Sequence, residues 1–327
     1  MPLLCPLNLM KKLYSSYKRL LFLLPLSFLL SACPGPAPTP EPGVTESSYE
    51  DGVDRGIIEN PELDEASGMV SSKKNEGFLW AHNDSGDGNR LFLIDTFGKG
   101  MKQFVIQGAE NRDWEDIALI SDSNGSAVVY IADFGDNSAS HASYAIYWFN
   151  EPNVSSINNA TITGVQKLTF TLPDGSRDME CLLVDQRTKD VFIVSKRETK
   201  KRLYKIPAAS FTNQANVKAE FVQELSVSVP FSTLGQIVTA YYITSGDVSP
   251  DNTEILIKNY FECYYWKRKT NETIPEALAR AAKQVPYVGN PTEPQGEGIT
   301  FAADGGGYYT ISEKGSTPVH LYYYKRK

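Results

Sequence analysis

The chain has 327 residues, 41% of them hydrophobic, and a formal net charge of −7. That is enough apolar material for one large domain or two small ones, and the acidic balance argues against nucleic acid as a partner. Tyrosine is abundant at 18 and β-branched runs are frequent, which favours strands over helices. Taken in chain order, the amino terminus comes first. Lys11, Lys12, Lys18 and Arg19 precede the apolar run Leu20 to Leu30. The run is too short to span a bilayer comfortably, so residues 1–32 are expected to be a cleaved signal peptide, with Met10 as an alternative start.

"LLSAC", Leu29 to Cys33, resembles a bacterial lipobox. The resemblance implies cleavage before Cys33, acylation of its thiol and attachment to a membrane of the cell envelope; an ordinary signal cleavage after Ala32 is the alternative. Pro34 rather than Asp follows the cysteine, which in Gram-negative lipoproteins implies the outer membrane. Residues 34 to 52 are rich in Pro, Gly and acids, so residues 33–54 are expected to form an extended tether. Removing the four leader cations from a net −7 leaves the mature chain at −11. Cys181 and Cys263 lie in apolar strand-like runs and are expected to be buried free thiols, with a disulfide as the alternative.

From residue 55 to 327 one pattern recurs: an acid, any residue, then an apolar run. It begins at Glu65, Glu115, Glu180, Asp247 and Glu297. Each run is followed by a polar turn and a second apolar strand, such as "AVVYIADFGDN" or "DVFIVSKRE". A third strand usually follows, and a fourth is visible in three units. Four-stranded units repeating every 40–70 residues predict an all-β protein, a β-propeller with five blades. A sixth fits between Val217 and Tyr242. The last unit ends at its third strand, and the segment Arg55 to Glu59 is expected to supply the missing outer strand and close the ring. "PEALARAAKQ", Pro275 to Gln284, is the one helix-like patch, an insertion in the fourth blade. A two-sheet sandwich is the alternative architecture, but it does not call for a recurring acid.

In a propeller the first strand of each blade lines the channel, and the end of the second lies beside its start. Glu65, Glu115, Glu180, Asp247 and Glu297 are therefore expected around one channel mouth, next to His82, Asn83, Asp84, Asp133, Lys196, Arg197, Lys258 and Lys314. These are the candidate ligand- or anion-binding residues, and Glu313 is expected beside Lys314 at the same mouth. Five like charges within about 10 Å are unfavourable unless cations or donors answer them. Lysine and arginine from the strand ends are one answer. A bound Ca²⁺ is another, with Glu180, Glu297 and Asp133 as candidate ligands. A third reading has each carboxylate accept backbone N–H groups and lock neighbouring blades. Trp114, beside Glu115, is the tryptophan placed to stack on a ligand. The three histidines have no metal-ligand spacing, and nothing marks a nucleophile elbow, a P-loop or a dinucleotide fingerprint; no catalytic residue is assigned.

The motifs "ASGMV…LWAHNDSGD", "DWEDIA", "YIADFGDN", "GDVSPD" with "ILIKNY", and "EPQGEGITF…ISE" together resemble a group of secreted or lipid-anchored bacterial β-propeller proteins, loosely akin to phytase-like, TolB-type and NHL-type propellers. The resemblance covers the chain after about residue 55. Its phytase-like side implies calcium and cationic side chains holding phosphate groups, with Glu180, Glu297, Lys196 and Arg197 as the positions that match such parts. Two functions follow. One is a lipid-anchored module binding a small or peptidic ligand over the channel mouth. The other is a calcium-dependent phosphoesterase with a general base among Glu115, Glu180 and Glu297.

Overall fold

The computed structural model describes residues 45–122, 124–157, 160–212, 217–227, 238–315 and 317–327. The leader, Cys33 and most of the tether lie outside the described residues. β1 (Val53–Ile57) precedes the first blade, which is β2 (Ala66–Ser71), β3 (Phe78–Asn83), β4 (Arg90–Asp95) and β5 (Lys102–Ile106). Blade 2 contains β6 (Trp114–Ser121), β7 (Ala127–Asp133), β8 (Tyr144–Asn150) and, after the short β9 (Thr161–Ile162), β10 (Gln166–Thr171). Blade 3 contains β11 (Met179–Val184), β12 (Val191–Ser195), β13 (Lys201–Ile206) and, beyond β14 (Val217–Lys218), β15 (Glu220–Leu225). Blade 4 contains β16 (Ile243–Val248), β17 (Glu254–Asn259), β18 (Cys263–Lys267) and, after the helix α1 (Ile274–Leu278), β19 (Lys283–Val285). Blade 5 contains β20 (Gly296–Phe301), β21 (Gly307–Ser312) and β22 (His320–Lys325).

The inner strands pack in a closed cycle, β2 on β6, β6 on β11, β11 on β16, β16 on β20 and β20 back on β2. This is a five-bladed β-propeller. Side chains alternate across each strand, so every blade feeds two neighbours. Five hydrophobic clusters result, one between each adjacent pair of blades. On β11, for example, Met179 and Leu182 face blade 2, whereas Cys181 and Leu183 face blade 4. The ring is closed by β1, which pairs antiparallel with β22, Val53 opposite Tyr323. Two more stitches run parallel: β9 joins β5 of blade 1 and β14 joins β10 of blade 2.

The interval from Val217 to Tyr242 supplies outer strands to blades 2 and 3 and a 3-10 turn at Val238–Tyr241; residues 228–237 lie outside the described residues. Among the described residues there is no sixth sheet. The helix is shorter than the sequence predicts. Thr273 caps it in a reciprocal box with Glu276, and Ile274, Ala277 and Leu278 are buried between blades 3 and 4. Lys283 and Gln284 instead pair with Tyr265 and Tyr264 as the fourth strand of blade 4. So short a helix is marginal alone, and covering the bare edge of β18 satisfies more backbone groups. Cys181 and Cys263 are free and buried. No described helix is long and apolar enough to cross a membrane.

Candidate functional site

The register of the five inner strands breaks at one equivalent place. In β2 the pairing with β3 skips Ser67; in β6, β11, β16 and β20 the skipped residues are Glu115, Glu180, Thr244 and Glu297. Each is a β-bulge, which re-aims one side chain and sharpens the local twist. Glu115, Glu180 and Glu297 are thereby buried at one mouth of the channel, each 2–3% exposed.

Around them the ends of the second strands and the loops before the first strands bring more acids. Three overlapping groups hold carboxylate oxygens within 4.8 Å of one another: Asp84, Glu297 and Glu313; Asp84, Asp113 and Glu115; and Glu115, Asp178 and Glu180. Burial, aided by the charges of Glu297 and Asp113, pushes Asp84 up to about 7. Burial and the charge of Glu297 push Glu313 up to about 9. Burial and the charge of Asp84 hold Glu115 well above the usual carboxylate range, against the pull of Lys196. Tyr260 donates to Glu297 Oε1 at 2.7 Å. Gly135 forms the floor beneath Glu115 and Asp113, where an added Cβ would lie 2.0 Å from Glu115 Oε1 and 2.4 Å from Asp113 Oδ2.

Few cations answer this charge. Lys196, itself buried, pairs with Glu180 Oε1. Arg197 Nε lies 2.6 Å from Asp178 Oδ2, and its guanidinium covers the Tyr242 ring at 4.8 Å. Lys258 is fully buried and donates to Thr244 Oγ1 at 3.1 Å and to the Gly296 carbonyl; burial lowers it to about 8. Glu180 Oε2 is buried with no hydrogen-bond partner.

The structure places the other sequence candidates differently. Glu65 is exposed and lies two positions before the bulge residue Ser67. Asp247 lies three positions beyond the bulge residue Thr244, deeper in the channel, where it accepts from Phe301 N at 2.8 Å and Thr300 Oγ1 at 3.0 Å of the next blade. Asp133 accepts the amides of Arg112 and Asp113 at 3.2 and 2.9 Å, and joins none of the three groups. Asn83 braces the Glu62 and Glu65 backbone. His82 is fully buried, its Nδ1 against the Asn83 carbonyl, and burial lowers it to about 4, so it is neutral at physiological pH. Lys314 is exposed. Trp114 is fully buried, edge-on to His82, and donates to the Glu110 carbonyl, so it is not free to stack on a ligand.

Glu313 joins the mouth at the end of its second strand, as expected; sequence reasoning missed Asp113 and Asp178, each two positions from a residue it selected, and Asp116. The Asp116 carboxylate accepts from Leu182 N at 2.8 Å and Ser245 Oγ at 3.0 Å, tying blades 2, 3 and 4 across the channel. Ser67 Oγ donates to the Glu115 carbonyl at 2.9 Å and Ser71 Oγ to the Phe301 carbonyl at 2.6 Å, which extends the same belt to blades 1 and 5.

No family model matches the chain. No curated protein matches it either. Among solved structures it is similar to a gluconolactonase from Xanthomonas campestris, at 9% identity over 76% of this chain and 69% of that one, with a TM-score of 0.39. It is also similar to a luciferin-regenerating enzyme, at 11% identity over 86% and 95% of the two chains, with a TM-score of 0.41.

Proposed function

We propose that this propeller binds a small or peptidic ligand over its carboxylate-lined channel mouth, and that the ligand carries positive charge. The convergence of Asp84, Asp113, Glu115, Asp178, Glu180, Glu297 and Glu313 at one opening carries this reading. Lys196 and Arg197 neutralise part of that charge, and a cationic ligand relieves the rest. The leader and tether support a protein anchored in the cell envelope through acylated Cys33. Loss of acyl-chain labelling in Cys33→Ala is the expected outcome for that anchor.

Thermal unfolding tests the binding. A ligand at 100 times its dissociation constant adds about 2.7 kcal/mol to stability. Calcium, spermidine or a lysine-rich peptide should raise the melting temperature, and phosphate esters alone should not. A shift with anions but with none of the cations would refute the reading. Turnover of a generic phosphate ester in the presence of calcium would move the assignment to the phosphoesterase.

A further inference from the structure

We infer that Glu115, Asp178 and Glu180 form one hard-cation site, and that its cation is Ca²⁺. This rests on the proposed function and names the charge that the mouth holds.

Two observations converge on these three residues. The first is geometric. Their carboxylate oxygens lie within 4.8 Å of one another, and oxygens on opposite sides of a single Ca²⁺ at 2.3–2.6 Å are separated by about 5 Å. One ion therefore reaches all three. The second is the bare oxygen. Glu180 is 2% exposed; its Oε1 takes Lys196, and its Oε2 has no donor. A buried carboxylate oxygen without a partner costs free energy that a cation recovers.

The surroundings select the ion. All the ligand atoms are carboxylate oxygens, which suit hard cations. The nearest sulfur on β11, Cys181, is turned into the core between blades 3 and 4. His82 points its Nε2 at Gly68 instead. Glu115 and Glu180 are set by bulges in two different blades, and Asp178 is held by the Asp136 amide at 3.0 Å and by Arg197. A frame fixed from three directions does not contract to the tight octahedron that Mg²⁺ requires, whereas Ca²⁺ accepts irregular coordination. The acids Asp84 and Asp113 adjoin the site through Glu115 and keep the surrounding field negative.

Isothermal titration of the purified full chain with CaCl₂, MgCl₂ and spermidine tests this. The expected result is saturable binding of one Ca²⁺ per chain and at least tenfold weaker Mg²⁺ binding. Tb³⁺ in the same site should show luminescence sensitised by the adjacent Trp114. Glu180→Gln and Asp178→Asn should each weaken Ca²⁺ at least tenfold, while Glu50→Gln, exposed beside Lys325 at the opposite end of blade 5, leaves it within threefold. Circular dichroism in chelator establishes that each variant folds; should one fail, the wild-type titration and the other variant decide. Spermidine binding without calcium binding overturns this inference and leaves the proposed function standing. Binding of neither overturns both. Mg²⁺ binding as tight as Ca²⁺, or a Glu180→Gln variant with unchanged Ca²⁺ affinity, overturns the assignment of ion or ligands.

Discussion

Replacing Glu254 with glutamine isolates the clasp that joins the two ends of the propeller. Glu254 opens β17 and its side chain is fully buried. Arg326, just after β22, grips it with Nη2 on Oε2 at 2.5 Å and Nη1 on Oε1 at 2.8 Å. Tyr265 donates at 2.8 Å, Lys267 at 3.3 Å, and the Ser47 hydroxyl from the incoming chain also donates. Hydrogen bonds from Arg326, Ser47 and Tyr265 outweigh burial and hold the carboxyl at about 2. Removing one partner of a buried pair costs about 3–5 kcal/mol. Arg326 is 28% exposed and part of its charge returns to water, so about 2–4 kcal/mol is expected for Glu254→Gln. At about 2–4 °C per kcal/mol, the melting temperature at pH 7 falls by roughly 4–16 °C. The pH dependence carries a definite sign. The folded-state value lies below that of the unfolded chain, so the contribution is complete above about 4.5 and fades as pH falls toward 2. The gap between wild type and variant should therefore narrow across that window in scanning calorimetry. Equal melting temperatures at pH 7, or a gap independent of pH between 6 and 3, would refute the clasp.

Three further outcomes follow from the channel. Gly135→Ala drives a methyl into Glu115 and Asp113; urea unfolding should show a loss of about 1–3 kcal/mol. Asp116→Asn puts an amide group where the Leu182 amide and the Ser245 hydroxyl both donate, and the mismatch should cost about 1–3 kcal/mol in the same assay. Glu297→Gln removes a charge that raises both Glu313 and Asp84. It should melt at or above the wild-type temperature at pH 8, as expected where a site stores repulsion; a large drop would instead assign Glu297 to locking the blades.

The blade count and the clasp strand were legible because they depend on hydrophobic period and turn spacing, which the chain writes locally. The mouth was only partly legible. Acid-plus-apolar-run located Glu115, Glu180 and Glu297, but it chose Glu65 where the bulge falls on Ser67, and Asp247 where it falls on Thr244. A bulge is set by pairing with the second strand, and a single strand's pattern does not show which residue is skipped. A finer signal was present. The residue after each bulge is Gly68, Asp116, Cys181, Ser245 or Gly298, all short. A Cβ on Gly298 would meet Ile311 at 2.5 Å and Met69 at 3.3 Å. Asking for a small residue behind each candidate would have set aside Asp247, which is followed by Val248, but not Glu65, which is followed by Ala66. Asp113 and Asp178 were out of reach, since their role comes from neighbouring blades, whereas Glu313 was placed by its position at a second-strand end.

The buried carboxylates of this protein divide by who donates to them. Asp247 and Asp116 also stand above their usual range through burial, yet each is met by a backbone N–H of the next blade. Their polarity is used up in holding the ring together. Glu115 and Glu180, one bulge higher, face other carboxylates, and Glu180 keeps one oxygen bare. That oxygen is left unanswered while donors reach the acids a few residues away. The contrast within one channel, under the same burial and the same strand geometry, is the support for the proposed cation site.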